Sequence, residues 1–429
     1  MPTRCWPLVH TRAKAQQVLH LVDAASATTR GALAEATGMH AASLNRVVAT
    51  LLERGVLTTI EPDTTGRPGR PSERLALHPQ AGAVVGLEFG RDHLLGAVLD
   101  ATGRLVHVDE ALPAPPFEGA GSTFDALAGT VWRLADTVGA ARHRVRAVGV
   151  ALHDVVTADG GWYTQERTHE PPIDARHELG ARLERLVLLD DVSRAFALAE
   201  HSFGAGHGEP DMIYVFIGSH GVGGGAFVNG RMLVSSSGIC AEIGHVVVDE
   251  RGALCQCGSV GCFETVASHR AVEERFDALA RRGVATRLAP GARFAPICAA
   301  AGDGDKGAYL VLRELGEAMG RALGPTVNLL GAPVVVVGGS LRRAGEAFLE
   351  QVASALRHRV VSGLAPRVRV RYASLPPHAG AWGAATLARE AALRQGAFLE
   401  DPNPALGARE EDRHPGTRPS DRPTPLART

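Results

Sequence analysis

Residues 241–264 read AEIGHVVVDERGALCQCGSVGCFE and place three cysteines, Cys255, Cys257 and Cys262, within eight positions of a chain that has six in all. The other three, Cys5, Cys240 and Cys298, stand apart. That distribution fits reduced thiols gathered on a metal better than a disulfide framework. A tetrahedral site needs a fourth donor, and His245, ten residues before Cys255, offers an imidazole. The Cys3His set of His245, Cys255, Cys257 and Cys262 is a common closed shell for a structural Zn2+, with a reactive thiol pair or another metal as the alternatives. The spacing H-x9-C-x-C-x4-C is not that of a zinc finger and carries no recognition helix. The metal is therefore expected to brace the backbone and to hold Glu242, His245 and Glu264 in a constant relation. Two carboxylates and a histidine beside a polar cleft suit hydrogen bonds from sugar hydroxyls.

Working outward, the region from residue 83 alternates strands and helices. AVVGLEFG, HLLGAVLD and RLVHVDE read as three short strands, TFDALAGTVWRLADTVG as a helix, VRAVGVAL and LVLLDDV as strands, and SRAFALAEHSFG as a helix. The pattern then restarts: MIYVFIG and GVGGGAFVNGRML resemble GLEFG and LLGAVLDATGRLV, with glycines at similar places. A duplicated unit of this kind is the pattern of the actin-like, sugar kinase and heat-shock ATPase fold, in which two lobes close over a cleft. VVVVGGSL at 334–341 would add a third glycine loop. The stretches that follow the cysteine cluster, CAAAGDGDKGAYLVLRELGEAMGRALGPTVNLLG and AGAWGAATLARE, fit helices covering the lobes.

The first eighty residues differ in kind. RAKAQQVLHLVDA places Val18, Leu19 and Val22 at helical spacing, TRGALAEATGM offers Thr28 or Thr29 as a cap and Gly38 as a stop, and HAASLNRVVATLLERG presents Leu44, Val47, Val48, Leu51 and Leu52 before Gly55. Three helices with a tight glycine turn before the last match a helix-turn-helix, whose second helix would present Ser43, Asn45 and Arg46 to the major groove. The segment VLTTIEPDTTGRPGRPSERLALHP then reads as strand, turn, strand. Its two Gly-Arg-Pro units put Arg67 and Arg70 on a wing suited to the minor groove of double-stranded DNA. Three amphipathic helices with another purpose, followed by a basic linker, is the bland alternative.

Composition is compatible with this division. With 45% hydrophobic and 21% charged residues over 429 positions, the chain can fill two or three cores. Its net charge of −1 conceals nine Arg and Lys against six Asp and Glu over residues 1–80, a modest basic bias. The opening MPTRCWPLVHTRAK lacks an apolar run ending in a cleavage site, and no stretch approaches the roughly 18 apolar residues of a membrane span. A cytoplasmic location without membrane contact is the expectation. The end, DPNPALGAREEDRHPGTRPSDRPTPLART, is rich in Pro, Arg and Asp and is expected to be disordered.

The motif GH-x9-CxCGxxGCxE, preceded by Ala-Glu-Ile, resembles the signature of the ROK family, which contains bacterial sugar kinases and sugar-responsive transcriptional repressors. The resemblance spans roughly residues 10–390, and the winged helix with its GRP wing is similar to the repressor branch. It implies an α/β chain: a winged helix-turn-helix over 10–80, a first sugar-kinase-like lobe over 83–205, a second lobe with the zinc motif over 206–395, and a tail over 400–429. It further implies that Glu242, His245 and Glu264 contact a sugar or sugar-derivative effector, and that Asp191 occupies the position of the kinases' catalytic base.

Departures from the kinase pattern are concentrated in its loops. The first phosphate loop, Asp-Ile-Gly-Gly-Thr-Lys in kinases of the family, is here Glu88, Phe89, Gly90, Arg91, Asp92 and His93. An aspartate facing phosphates repels them and Arg91 fills space that the backbone needs. Gly-Thr-Gly becomes Ser219, His220 and Gly221, Asn-Asp-Ala-Asn becomes Asp190, Asp191, Val192 and Ser193, and the Pro-Gly turn after VGVAL becomes His153 and Asp154. Phosphoryl transfer depends on positioning and charge neutralisation, so two altered loops argue against it and no enzymatic activity is expected. A repressor released or recruited by a carbohydrate, forming a homodimer or homotetramer on a pseudo-palindrome, is the reading these residues favour. An effector-blind DNA-binding scaffold and an ATP-dependent sugar kinase are the alternatives.

Overall fold

Amphipathic spacing sets the first three helices. In the computed structural model, which describes residues 9–25, 28–60, 73–90, 92–115, 120–163, 171–219, 221–377 and 379–400, α1 (Val9–Asp23) buries Ala15, Val18, Leu19 and Val22. In α2 (Arg30–Thr37), the Thr29 side chain accepts the Ala32 amide at 3.3 Å and Leu33 is buried, and the helix stops at Gly38, which takes φ +66°. α3 (Ala41–Glu53) turns Leu44, Val47, Val48 and Leu51 inward, with Leu52 half-buried. β1 (Leu57–Ile60) and β2 (Arg74–Leu77) follow and pair. Thr29 bridges to Arg74, tying α2 to the hairpin.

This unit is completed by residues from the far end of the chain. Contacts group residues up to Ala76 with those from Gly396 onward, and Leu77–Gln395 form the other unit. Ala397, Phe398 and Leu399 are buried, the Arg54 guanidinium donates to the Leu399 carbonyl at 3.1 Å, and Arg12 pairs with Glu400 at 3.5 Å. The expected disordered tail, apart from Glu400, and the wing residues Arg67 and Arg70 lie outside the described residues.

In the second unit the repeat foreseen from the glycine turns is a repeat of topology. β3 (Ala83–Phe89), β4 (Leu94–Asp100) and β5 (Leu105–Leu112) form an antiparallel meander. After α4 (Ala120–Thr137), β6 (Val145–Leu152) adds parallel to β3. Beyond a small sheet of β7 (Val155–Val156), β8 (Gly161–Tyr163) and β9 (Ile173–Asp174), and beyond α5 (Ala175–Leu183), β10 (Leu186–Asp191) adds parallel to β6. α6 (Val192–Phe203) then leads to the second meander, β11 (Met212–Ile217), β12 (Val222–Val228) and β13 (Arg231–Met232). β14 (Val334–Gly339) and β15 (Arg369–Tyr372) add parallel beside β11. The strand orders 10-6-3-4-5 and 15-14-11-12-13 thus correspond element for element.

Helices α7 (Glu264–Ala267), α8 (His269–Arg281), α9 (Phe294–Gly302), α10 (Lys306–Leu330) and α11 (Glu346–Arg357) share the second sheet's core, which contains Phe263, Phe276, Phe294, Met319 and Phe348. The last helix, α12 (Ala379–Gln395), lies within the span that the sequence pattern assigns to the second lobe, 206–395. It packs instead on β3, β4, β6 and α6, at the first sheet. Its alanines meet glycines there: a Cβ on Gly149 would lie 1.9 Å from the Ala384 carbonyl oxygen, and one on Gly86 would lie 2.0 Å from that of Ala381. α6 and α12 share a core with Met212, Tyr214 and Val336 of the second sheet, so the two sheets are joined through this helical layer.

Candidate metal centre and neighbouring carboxylates

The cysteine stretch folds into a loop closed by its own backbone. Val247 bridges to Cys262 and Leu254 to Val260, while the Cys255 amide donates to the Ser259 carbonyl at 2.8 Å and the Gly258 amide to that of Cys255 at 3.0 Å. Gly261, at φ +75°, is the position where the close approach is tightest, because a Cβ there would lie 1.6 Å from the Asp249 carbonyl oxygen. His245 ends a short 3-10 turn, Ile243–His245, anchored by buried Ile243.

These turns bring all four donors together. One atom each from His245, Cys255, Cys257 and Cys262 lies within 4.8 Å of every other. The Cys255 Sγ is 3.6 Å from His245 Nδ1, and the Cys257 and Cys262 sulfurs are 3.6 Å apart. Ligands about 2.3 Å (S) and 2.0–2.1 Å (N) from a tetrahedral zinc stand roughly 3.6–3.8 Å from one another. The donor set and its spacing therefore fit such an ion. Burial pushes the Cys262 thiol up to about 12, whereas the Ser259 backbone N–H holds Cys257 below its ordinary value. A divalent cation among them would keep every sulfur as thiolate.

The carboxylates singled out in the sequence gather around this loop. Glu264 begins α7; its Oε2 accepts the Val222 amide at 2.9 Å and its Oε1 lies 3.8 Å from the Cys255 sulfur, so it links the cysteine loop to the start of β12. Glu242 is solvent-exposed, yet the surrounding protein strips part of its hydration and raises its pKa. The charge of Asp191 adds to that rise and His245 opposes it, which places Glu242 within electrostatic reach of both.

Asp191 caps α6, accepting the Ser193 amide at 2.8 Å, the Arg194 amide at 3.4 Å and the Ser193 hydroxyl through Oδ1. Gly223 and Gly225 lie in β12, where the missing side chains admit Ser193 and Ala197 of α6.

Sequence reasoning missed the partner of Asp190. Arg194, one helical turn on, pairs with it, Nε to Oδ1 at 2.5 Å, with only 8% of Asp190 and 5% of Arg194 exposed. An i, i+4 spacing of opposite charge was the available signal. Replacing Arg194 with Met is expected to destabilise the chain by about 3–5 kcal/mol, since a buried carboxylate is left without its partner. Adding Asp190→Asn should recover most of that loss in chemical denaturation, and an unchanged midpoint in the single variant would contradict the assignment.

Elsewhere, Asn45 and Arg46 are exposed on α3 and Ser43 is half-buried, 3.4 Å from Lys14 Nζ. Asn45 Oδ1 also accepts from Arg30 at 3.5 Å. The altered segment after β6 is a packed one: Trp162 is 4% exposed, donates to Asp154 at 3.0 Å and meets Phe89 and Phe124 edge-on. His220 and residues 164–170 lie outside the described residues, and no helix among the described residues is long and apolar enough to cross a membrane.

Comparison with known proteins gives a consistent family relationship. The profile described as ROK family matches residues 84–391. The chain is 27% identical over 384 residues to the DNA-binding transcriptional dual regulator NagC of Escherichia coli K12, a match covering 88% of this chain and 92% of that one. It is 30% identical over 331 residues to a glucokinase of Streptomyces coelicolor, covering 72% of this chain and 98% of the glucokinase. Among solved structures, a ROK family transcriptional regulator, a homolog of the E. coli Mlc protein, superposes with a TM-score of 0.77 at 23% identity, covering 91% of this chain and 98% of its own.

Proposed function

Because the chain belongs to the ROK family, we propose that it is a DNA-binding transcriptional regulator, a repressor of carbohydrate-related genes, whose grip on its operator is set by a sugar or sugar derivative bound beside a structural zinc. The observation that carries this reading is the unit that precedes residue 77, three helices and a β-hairpin. The glucokinase match takes in almost all of that enzyme yet only 72% of this chain, whereas the match to NagC takes in 88%. α3, entered from the Gly38 turn, would be the recognition helix of a winged helix-turn-helix, with Ser43, Asn45 and Arg46 towards base edges and Arg67 and Arg70 of the wing in the minor groove.

His245, Cys255, Cys257 and Cys262 would hold Zn2+, which supplies the charge that keeps the thiolates in a closed loop. Glu264, bonded to both the loop and β12, and Glu242 would then accept hydroxyl hydrogens of the effector, with Asp191 at the end of β10. Zinc thereby serves as a brace, with no step of chemistry assigned to it. Kinase activity is not part of the proposal: Asp191 is engaged as a helix cap, and Glu88, at the head of the first loop, is buried against two histidines. Two-fold related half-sites call for a homodimer or homotetramer.

The test is binding of purified full chain to upstream DNA of its own gene neighbourhood across a salt series, with and without a panel of hexoses, amino sugars and their phosphates. Binding should weaken steeply with salt. Arg46→Ala should lose about 1–3 kcal/mol of operator affinity, roughly fivefold to 150-fold. Salt-independent or absent DNA binding would remove the proposal. If DNA binds and no carbohydrate alters it, the effector-blind scaffold is the better description, and turnover of ATP with any hexose would restore the kinase reading.

A further inference from the structure

A second set of metal-ligating side chains lies apart from the cysteine loop, where the chain departs from the kinase pattern. Glu88 is the penultimate residue of β3, His93 immediately precedes β4, and His153 immediately follows β6. The three donor atoms lie within 4.8 Å of one another, and Glu88 Oε1 is 3.3 Å from His93 Nε2 and 3.2 Å from His153 Nε2. The two imidazoles stand edge to face with centroids 4.9 Å apart. His93 is folded back over its own turn, and a Cβ on Gly90 would lie 2.2 Å from its ring. Glu88 is 2% exposed, and its Oε2 has no hydrogen-bond partner among the described residues.

Each imidazole contact of this cluster calls for a proton or a cation between the ring nitrogen and Glu88. His93 Nδ1 is 3.1 Å from Asp92 Oδ1, and in the neutral tautomer that donates its Nδ1 hydrogen to this carboxylate the ring presents a lone pair at Nε2. That lone pair faces the lone pairs of a buried carboxylate oxygen. Only a proton on Nε2 or a cation between the two makes the contact favourable. Donors bound at about 2.0–2.1 Å to a tetrahedral ion stand roughly 3.3 Å apart, which is the spacing of Glu88 Oε1 from each imidazole nitrogen, and two histidines with one carboxylate are a recurrent set for zinc-type ions.

We propose that Glu88, His93 and His153 form a second metal site, for a divalent transition ion of the zinc type, with a coordination position left for water or a ligand oxygen. Their side chains are 3%, 35% and 28% exposed, so the ion would be covered by Glu88 and reached from the imidazole side. The site stands at the carboxyl ends of the parallel strands β3 and β6, where open α/β sheets bind their ligands. It would pin the β3–β4 turn to the segment after β6, in a place where the kinase pattern has a phosphate loop.

Metal stoichiometry of the full chain tests this. After chelation, cobalt titration of the wild-type protein should give two equivalents, one with the intense thiolate-to-cobalt bands of the cysteine site and one with weak ligand-field absorption only. His153→Gln should bind one equivalent and keep the thiolate bands; Cys257→Ser should lose those bands and keep the weak ones. Asp92→Asn, which touches no ion, should weaken the second site about tenfold or more. Should His153→Gln fail to fold, His93→Gln and Glu88→Gln give the same reading. A single thiolate-type equivalent in wild type, or two retained in His153→Gln, would overturn the site and leave a proton as the charge between Glu88 and His93.

Discussion

A Cys262→Ser variant is expected to lose the metal of the cysteine loop and, with it, the order of residues 245–262, while both five-stranded sheets persist. Cys262 has no exposed surface and follows Gly261, whose carbonyl accepts the Val248 amide at 2.8 Å, so its sulfur is presented by backbone that is already committed. Serine offers a far weaker donor, and the remaining sulfurs and imidazole no longer close a tetrahedral shell. Structural zinc in isolated fingers contributes about 10–16 kcal/mol, which is an upper bound here because buried Ile243 and Phe263 still dock in the second core. A loss of about 3 kcal/mol or more is expected, a drop in Tm of roughly 5 °C or more. Metal analysis, thermal unfolding and hydrogen exchange over the loop check it. Because Glu264 adjoins the loop, any carbohydrate-induced stabilisation should vanish in the same variant. Full metal content with an unchanged Tm would exclude the brace.

The second large effect is expected at Gly149. In β6, an interior strand of the first sheet between β10 and β3, a Cβ would lie 1.9 Å from the Ala384 carbonyl oxygen of α12, and backbone cannot yield as a flexible side chain can. Gly149→Val should therefore either separate α12 from the sheet or leave the chain insoluble, a destabilisation beyond about 4–5 kcal/mol. Gly129→Ala is the matching control: it lies exposed in α4, where a Cβ meets nothing within 4 Å, and should be neutral or slightly stabilising, by up to about 1 kcal/mol. Soluble yield and denaturant midpoints decide between these outcomes. A Gly149→Val protein as stable as wild type would mean that the helix does not rest on this strand.

Much of this arrangement was legible locally. The helix pattern over residues 12–55 placed Val18, Leu44 and Leu51 in the interior, because amphipathic spacing needs only a few turns of sequence to declare a buried face. The metal donors were legible for a similar reason: a run of 18 residues with two left-handed glycines, Gly258 and Gly261, can close on itself with little help from elsewhere. Asp191 caps α6 by accepting the backbone amides of Ser193 and Arg194, and of its bonds there only the one from the Ser193 hydroxyl depends on a side chain that the motif does not contain.

Other features required the fold. α12 reads as an alanine-rich helix suitable for any lobe; its place on the first sheet follows from glycines more than two hundred residues earlier, Gly86 and Gly149, that leave room for it. The Ala397–Leu399 triplet is too short to announce a core, yet it is buried with the N-terminal helices. Glu88, His93 and His153 looked separately like damage to two loops, and only the parallel pairing of β3 with β6 sets their donor atoms side by side. By itself, then, the sequence determined the elements and the cysteine centre, where periodicity and short-range closure suffice. Tertiary structure alone decided which helix covers which sheet and which distant polar groups stand side by side, because both depend on backbone approach between segments far apart in the chain.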